Sequence, residues 1–147
     1  MYIASDHIQK WITIGDALIV SVDISAQLDK WLMDLPWLPS RSGLDWGQMC
    51  SRQTSLASLT EPKQMKTFLS TSFDCDPYLI FLFAANEPCI ACKSEFAIQN
   101  IDYAFWKAPG NRYMFGADIR NGEIVPNFSR FAEYDGSDTV TAAVRRC

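Results

Sequence analysis

The sequence predicts an α+β fold in a single domain that spans residues 1–147. Three observations predict this class: side chains alternate along the first 24 residues, two later segments carry apolar residues at helical spacing, and the second half is rich in aromatic and β-branched residues. The predicted architecture is an N-terminal β-hairpin, two helices and an antiparallel β-meander of four to five strands, with helices covering one face. A hydrophobic content of 48% supports a buried core.

The predicted hairpin occupies residues 8–24. Every second residue of 8–14 falls on one side of the first strand, and every second residue of 18–24, all of them apolar, falls on one side of the second. Gly15 and Asp16 lie between the strands and suit a two-residue turn, because glycine accepts the positive φ angle that such a turn requires.

Two helices are predicted to follow the hairpin. Ser25 is the expected cap of the first helix, and Pro36 ends it because proline disfavours helical geometry in the residue before it. The second helix begins around residues 60–62, with a proline tolerated in its first turn. The apolar residues that the helices turn inward are Leu28, Trp31, Leu32 and Leu35 in the first and Met65, Phe68 and Leu69 in the second.

Residues 35–48 separate the two helices and fit no periodic element. The segment holds two prolines, two glycines and two tryptophans. It predicts a long ordered loop that contains at most one short turn of helix.

The second half of the sequence predicts strands. Residues 78–83 are apolar at every position, as in a central strand. Residues 101–106 and 113–119 are rich in aromatic and β-branched residues, which are typical of strands. The pair Asn121-Gly122 is a hairpin signal that returns the chain into residues 123–125.

Two further segments of the second half carry signals of helix as well as strand, or of helix alone. Residues 89–98 fit a strand by their alternation, and they fit a helix because residues 86–88, Asn-Glu-Pro, resemble a helix start. Asp138 is expected to cap a short C-terminal helix that runs through Val144.

Cys89 and Cys92 form a Cys-x-x-Cys pair shortly after the apolar run. A strand that leads into such a pair resembles the redox-active segment of thioredoxin-like proteins, in which the first thiol lies at a helix N-terminus that lowers its pKa. The resemblance covers about 20 residues and lacks the family's tryptophan before the first cysteine. It implies, as an alternative function, a thiol-disulfide oxidoreductase that uses Cys89 and Cys92.

Charge and composition exclude several classes of function. Seventeen acids against 13 bases give a net charge of −4, which repels nucleic-acid phosphate. The longest uncharged run, residues 77–86, is half the length of about 20 residues that a membrane-spanning helix needs. The sequence does not open with a basic segment followed by an apolar one, the pattern of a secretory signal. The five cysteines lack the spacing of a disulfide scaffold. We therefore expect a cytoplasmic protein without nucleic-acid or membrane partners.

The sequence predicts no catalytic, metal or cofactor site. Nucleophilic hydrolysis needs a base, and the single histidine, His7, lies near the N-terminus. A structural zinc site needs a second ligand pair besides Cys89 and Cys92, and the other cysteines are scattered singly. No glycine-rich phosphate-binding loop occurs, so no nucleotide cofactor is indicated.

Two patches remain as candidate partner-binding sites. Tryptophans and charged residues share a loop in the first patch, a composition typical of interface hot spots. The second patch is acidic and contains one aromatic residue. The members are Trp37, Arg41, Asp45 and Trp46 in the first patch and Glu133, Tyr134, Asp135 and Asp138 in the second.

The leading functional prediction is a small acidic binding protein that neutralises a basic protein partner. In size, acidity and lack of a catalytic pattern the chain resembles bacterial immunity proteins, which implies a toxin domain as the partner. A further alternative is a small-ligand-binding domain with an aromatic-lined cavity. Its lining would come from Phe81, Phe83, Phe105, Trp106, Tyr113 and Phe115.

Overall fold

An antiparallel sheet with helices packed against it forms the body of the protein. The computed structural model describes residues 13, 17–39, 43–48, 51–56, 62–83, 89–99, 112–134 and 140–145. Among these residues seven strands form one sheet in the order β1-β4-β3-β5-β6-β7-β2. The strands are β1 (Leu18–Ile19), β2 (Ser51–Leu56), β3 (Tyr78–Phe83), β4 (Ile90–Lys93), β5 (Arg112–Arg120), β6 (Glu123–Tyr134) and β7 (Val140–Arg145). The helices are α1 (Val22–Met33), α2 (Pro62–Ser72) and α3 (Ser94–Gln99), with a 3₁₀ turn at Trp46–Gln48. The predicted α+β class is confirmed.

Strands β5, β6 and β7 form a meander, because they are neighbours both in sequence and in the sheet; β5 and the start of β6 were predicted as strands, whereas β7 was predicted as a helix. Asn121 and Gly122 join the first two strands with φ angles of 53° and 80°. Positive φ at both central residues is what a two-residue turn of this kind requires, as the Asn-Gly pair predicted. The sheet is wider than predicted, because β2 pairs outside β7 while β4 and β1 extend the opposite edge.

A row of apolar side chains crosses the middle of the sheet beneath α1. Ile80 lies opposite Phe115, and Phe115 lies opposite Phe131. All three side chains are fully buried. Trp31 of α1 contacts the two phenylalanine rings edge-on, with ring centroids 5.5 and 5.0 Å away. These contacts fix α1 against the centre of the sheet.

The opposite face of the sheet is covered as well. Leu79 and Phe81 alternate with Ile80 along β3, so they point away from α1, and both are fully buried. The buried Leu69 of α2 and Ala97 of α3 belong to helices that contact β7 and β3, respectively. The covering therefore extends to both faces, beyond the single face that the sequence predicted, because a strand apolar at every position cannot expose either side to water.

The N-terminal hairpin prediction requires correction. Its second strand is reduced to Leu18–Ile19, which pairs with β4, and residues 22–24 belong to α1. The helix begins earlier than predicted because Ser21, rather than Ser25, is its N-cap and accepts the Ile24 backbone N–H at 3.3 Å. Thr13 is helical, and the rest of residues 8–16 lies outside the described residues.

The predicted C-terminal helix is wrong. Val140–Arg145 is strand β7, which pairs with β6 on one side and β2 on the other. The cap prediction at Asp138 relied on a local signal, whereas backbone pairing with two neighbouring strands and the β-branched residues Val140 and Thr141 favour the strand. Strand β2, which was not predicted, supplies one of those two neighbours.

Two other predictions can be compared with the described residues, and a third cannot. The second helix begins at Pro62 and buries Leu69, as predicted. Residues 89–98 contain both alternatives, because β4 passes directly into α3. The predicted strand at residues 101–106 lies outside the described residues. None of the described helices is both long and apolar enough to span a membrane.

Candidate partner-binding surface

The loop that follows α1 is held in shape by backbone hydrogen bonds. We call residues 36–39 and 43–48 the tryptophan loop. Trp37 and Leu44 form an isolated antiparallel bridge. The Leu38 N–H donates to the Gly43 carbonyl at 3.0 Å, and the Asp45 N–H donates to the Pro36 carbonyl at 2.9 Å. The two ends of the tryptophan loop are thus tied together, and the predicted ordered loop is confirmed for these residues.

The Glu133 carboxylate fastens the tryptophan loop to the sheet. Its Oε2 accepts the Leu44 backbone N–H at 2.9 Å, and its Oε1 accepts the Trp46 indole N–H at 3.0 Å. Glu133 is 5% exposed. A Cβ added at Gly43 would lie 3.5 Å from both carboxylate oxygens, so the loop backbone runs alongside the acid. Hydrogen bonds to an ionised acceptor are about twice as strong as neutral ones, and two of them meet here.

Both tryptophan rings are held by contacts with buried groups of the sheet and of α1. The Trp46 ring stacks on the buried Phe131, with centroids 5.3 Å apart and an interplanar angle of 15°. The Trp37 indole N–H donates to the Leu32 carbonyl at the end of α1 at 3.1 Å, and its ring meets Tyr113 edge-on. Each ring is half-buried. The inner edge of each ring is therefore anchored while part of each remains at the surface.

Exposed apolar and acidic residues lie within the tryptophan loop and at the end of α1 just before it. Met33 at the end of α1 is 61% exposed, and Leu38 within the loop is 39% exposed. Asp34 is exposed and Asp45 is half-buried. The surface next to the tryptophans thus combines exposed apolar groups with two carboxylates, and it is built on hydrogen-bonded backbone.

The two patches predicted from the sequence meet in space. Trp46 of the first patch and Glu133 of the second share a hydrogen bond, although 87 residues separate them. The Glu133 carboxylate is enclosed by the tryptophan loop rather than presented to solvent. Tyr134 lies in β6, where its backbone pairs with Val140, and its side chain is not described. Arg41, Asp135 and Asp138 lie outside the described residues.

The sequence was compared with protein families and with curated proteins. No family model matches this chain. No curated protein matches it either. The function of this chain is therefore inferred from the chemistry of the described residues.

The Cys89 and Cys92 thiols are both buried, and they lie on opposite faces of the sheet. Cys89 packs in the core beneath α1, whereas Cys92 lies within β4, where the odd spacing directs its side chain to the other face. Burial raises the pKa of Cys89 to about 11 and that of Cys92 to about 12. The thiolate is the reactive form of cysteine, so these two thiols are inert at neutral pH.

Alkylation at pH 7.5 should separate the described cysteines. Iodoacetamide is expected to label Cys75, which is exposed, while Cys89 and Cys92 remain unlabelled in the native protein. Peptide mapping by mass spectrometry reads each site separately, and the same reaction in urea is the control that labels all three. Native labelling of Cys89 as fast as Cys75 would contradict the buried placement.

A buried acid, Asp76, follows the turn after α2. Asp76 is 6% exposed, and its Oδ1 accepts the Asn127 side-chain N–H at 3.0 Å. Its Oδ2 is buried without a hydrogen-bond partner. Burial raises the pKa of the Asp76 carboxyl, against the opposing effect of the bond from Asn127. The neighbouring Asp74 is exposed, and its hydrogen bond from Arg130, 2.6 Å long, lowers its pKa.

The described residues give little support to a ligand cavity or a metal site. Three of the predicted cavity-lining residues are solid core: Phe81 and Phe115 are fully buried and Tyr113 is nearly so. The side chain of Phe83 is not described, and Phe105 and Trp106 lie outside the described residues. An open depression of about 390 Å³ lies elsewhere, beside Tyr78 and Lys93. Within the part of the chain that the structure describes, no group of three or more acidic, histidine or cysteine side chains is placed to hold a metal ion.

Proposed function

We propose that this chain is a small binding protein that neutralises a basic protein partner, as an immunity protein neutralises a bacterial toxin. Under this proposal it acts in the bacterial cytoplasm and inhibits its partner by occupying part of the partner's surface. The proposal needs no cofactor and no chemical step by this chain. It needs a surface that is shaped before the partner arrives.

The observation that carries the proposal is that hydrogen bonds hold the tryptophan loop in place. Trp46 and Leu44 are held by the buried Glu133, and Trp37 is held by the end of α1. Association usually incurs an entropic cost of about 0.5–1.5 kcal/mol for each side chain that it immobilises. Rings that are already fixed avoid much of that cost. Tryptophan is also among the residues most enriched in interface hot spots.

The charge of this surface favours a basic partner. Asp23 and Asp29 are exposed on α1 and Asp34 is exposed at its C-cap, whereas Lys30 is the one exposed base within α1. Asp45 adds a further carboxylate beside Trp46. Complementary charge accelerates encounter and rejects partners of the same sign, so these carboxylates favour a basic partner.

The alternative functions have less support from the described residues. A thiol oxidoreductase needs an accessible thiolate, and burial raises the pKa values of Cys89 and Cys92. A small-ligand site needs an enclosed cavity, and the described aromatic residues fill the core instead.

The test begins with affinity capture from the native source, using the full chain as bait. The captured protein is identified, purified and titrated against the chain at several salt concentrations. We expect a basic protein whose affinity falls as salt rises, because salt screens exposed charges. Charge reversal of Asp34 and Asp45 to lysine together should weaken binding by about tenfold or more. If the partner is toxic, co-expression of the wild-type chain should restore growth and the double variant should not.

Glu123→Lys is the matched control. Glu123 is exposed at the start of β6, and the β5 residues opposite Glu123 and Glu133 are seven residues apart, a separation of about 23 Å. We expect it to leave the affinity within about twofold of wild type. An acidic or nucleic-acid partner, an affinity indifferent to salt, or an equal loss in the control variant would contradict the proposal.

A further inference from the structure

The Trp46 ring has one face and one edge that are already occupied. Phe131 covers one face in a nearly parallel stack, and Glu133 accepts the indole N–H at the inner edge. The ring is nevertheless half-buried rather than fully buried. Its exposed part therefore lies on the side away from Phe131 and Glu133. With its N–H already used, this part of the ring offers a partner only its carbon edge and its π face.

The residue before Trp46 in the sequence carries a carboxylate. Asp45 precedes Trp46, and its Oδ1 lies 3.4 Å from the position of a Cβ on Gly47, so the side chain bends along the 3₁₀ turn toward Gly47. Asp45 is half-buried, and its backbone is fixed by the bond from its N–H to Pro36. An anion and an aromatic ring thus belong to consecutive residues on ordered backbone.

We propose that Trp46 and Asp45 form a binding site for an arginine side chain of the partner, an inference that rests on the proposed function. The guanidinium group stacks on the outer face of Trp46 and donates hydrogen bonds to the Asp45 carboxylate. Arginine fits better than lysine because its cation is planar, stacks on aromatic rings and pairs with a carboxylate through two parallel N–H groups. Trp37 is a poorer platform, because its ring meets Tyr113 edge-on and no acid adjoins it in the sequence.

The test compares two synthetic peptides of equal charge, amidated nona-arginine and amidated nona-lysine, with the purified full chain at 150 mM salt. Binding is measured by titration calorimetry. Wild-type protein should bind the arginine peptide about three- to tenfold more tightly than the lysine peptide. Nuclear Overhauser contacts between arginine side-chain protons and the Trp46 ring, assigned through Trp46→Phe, report the stacking directly.

Two variants separate a specific site from general charge attraction. Asp45→Asn should reduce the arginine preference to less than about twofold, because the neutral amide loses the paired carboxylate. Glu123→Gln removes the same charge from an exposed position at the start of β6 and should leave the preference intact. Urea unfolding confirms that each variant is folded.

The outcomes distinguish this inference from the proposed function. Equal binding of both peptides, no detectable binding of either, or the same loss of preference in the Asp45 and Glu123 variants would overturn the arginine site. The proposed function would still stand if the captured partner is basic and the lysine substitutions at Asp34 and Asp45 weaken its binding. A partner that binds by that surface through lysine alone would likewise reject the arginine site and keep the proposed function.

Discussion

Replacing Glu133 with glutamine is expected to lower the free energy of unfolding by about 2–3 kcal/mol. The carboxylate accepts two N–H groups, from Leu44 and from Trp46, and it is almost fully buried. Glutamine keeps the size of the side chain but offers one oxygen, so its NH₂ group faces one of the two donors. That donor then stays buried without an acceptor, and the charge assistance of both hydrogen bonds is lost.

Urea denaturation at pH 7 measures the loss of stability, and the Trp46 indole N–H resonance reports whether the ring remains bound. Glu123→Gln is the control, since the same substitution at an exposed position of the same strand should change stability by less than about 0.5 kcal/mol. Equal stability of the Glu133 and Glu123 variants would show that the carboxylate does not fasten the tryptophan loop.

Glu133 also illustrates how far the sequence predicts the site. Residues 131 and 133 lie on the same side of β6, so the burial of Phe131 implies that Glu133 points inward as well. Alternation was thus an available signal, although the run of acids that follows favoured a surface interpretation. The partners of Glu133 lie 87 and 89 residues earlier in the chain, and a contact of that separation has no local pattern.

The fold was predictable to the extent that local patterns determine it. The Asn121-Gly122 turn, the strand at Tyr78–Phe83 and the helix from Pro62 follow from turn chemistry and periodicity. The errors arose where two local signals competed. Ser21 and Ser25 are both suitable caps, and the alternation of residues 18–24 predicted a strand where the helix begins at Val22. At Val140–Arg145 tertiary pairing with β2 and β6 overrides the cap signal at Asp138.

Gly116→Ala is expected to lower the free energy of unfolding by about 3 kcal/mol. A Cβ at this position would lie 2.3 Å from the Cγ of Asp76 and 2.4 Å from its Oδ2. The acid has little room to retreat, because it is buried and its Oδ1 is bonded to Asn127, which pairs with Gly116 across the two strands. Glycine is therefore required here by close approach rather than by its backbone angles.

Gly47→Ala is the matched control for this substitution. The nearest atom to its added Cβ is Asp45 Oδ1 at 3.4 Å, an ordinary contact at an exposed position. We expect it to change stability by less than about 1 kcal/mol. Urea unfolding curves of the two variants, fitted with a common slope, measure the difference directly.

A double-mutant cycle identifies the cause of the loss at Gly116. Asp76→Ala removes the three atoms that the new Cβ would meet, and it also removes a buried oxygen that has no hydrogen-bond partner. In the Asp76→Ala background, Gly116→Ala should cost less than about 1 kcal/mol, which corresponds to a coupling energy of about 2 kcal/mol. Additive losses would instead assign the destabilisation to the strand backbone at the irregularity between Phe115 and Gly116, and the steric explanation would be wrong.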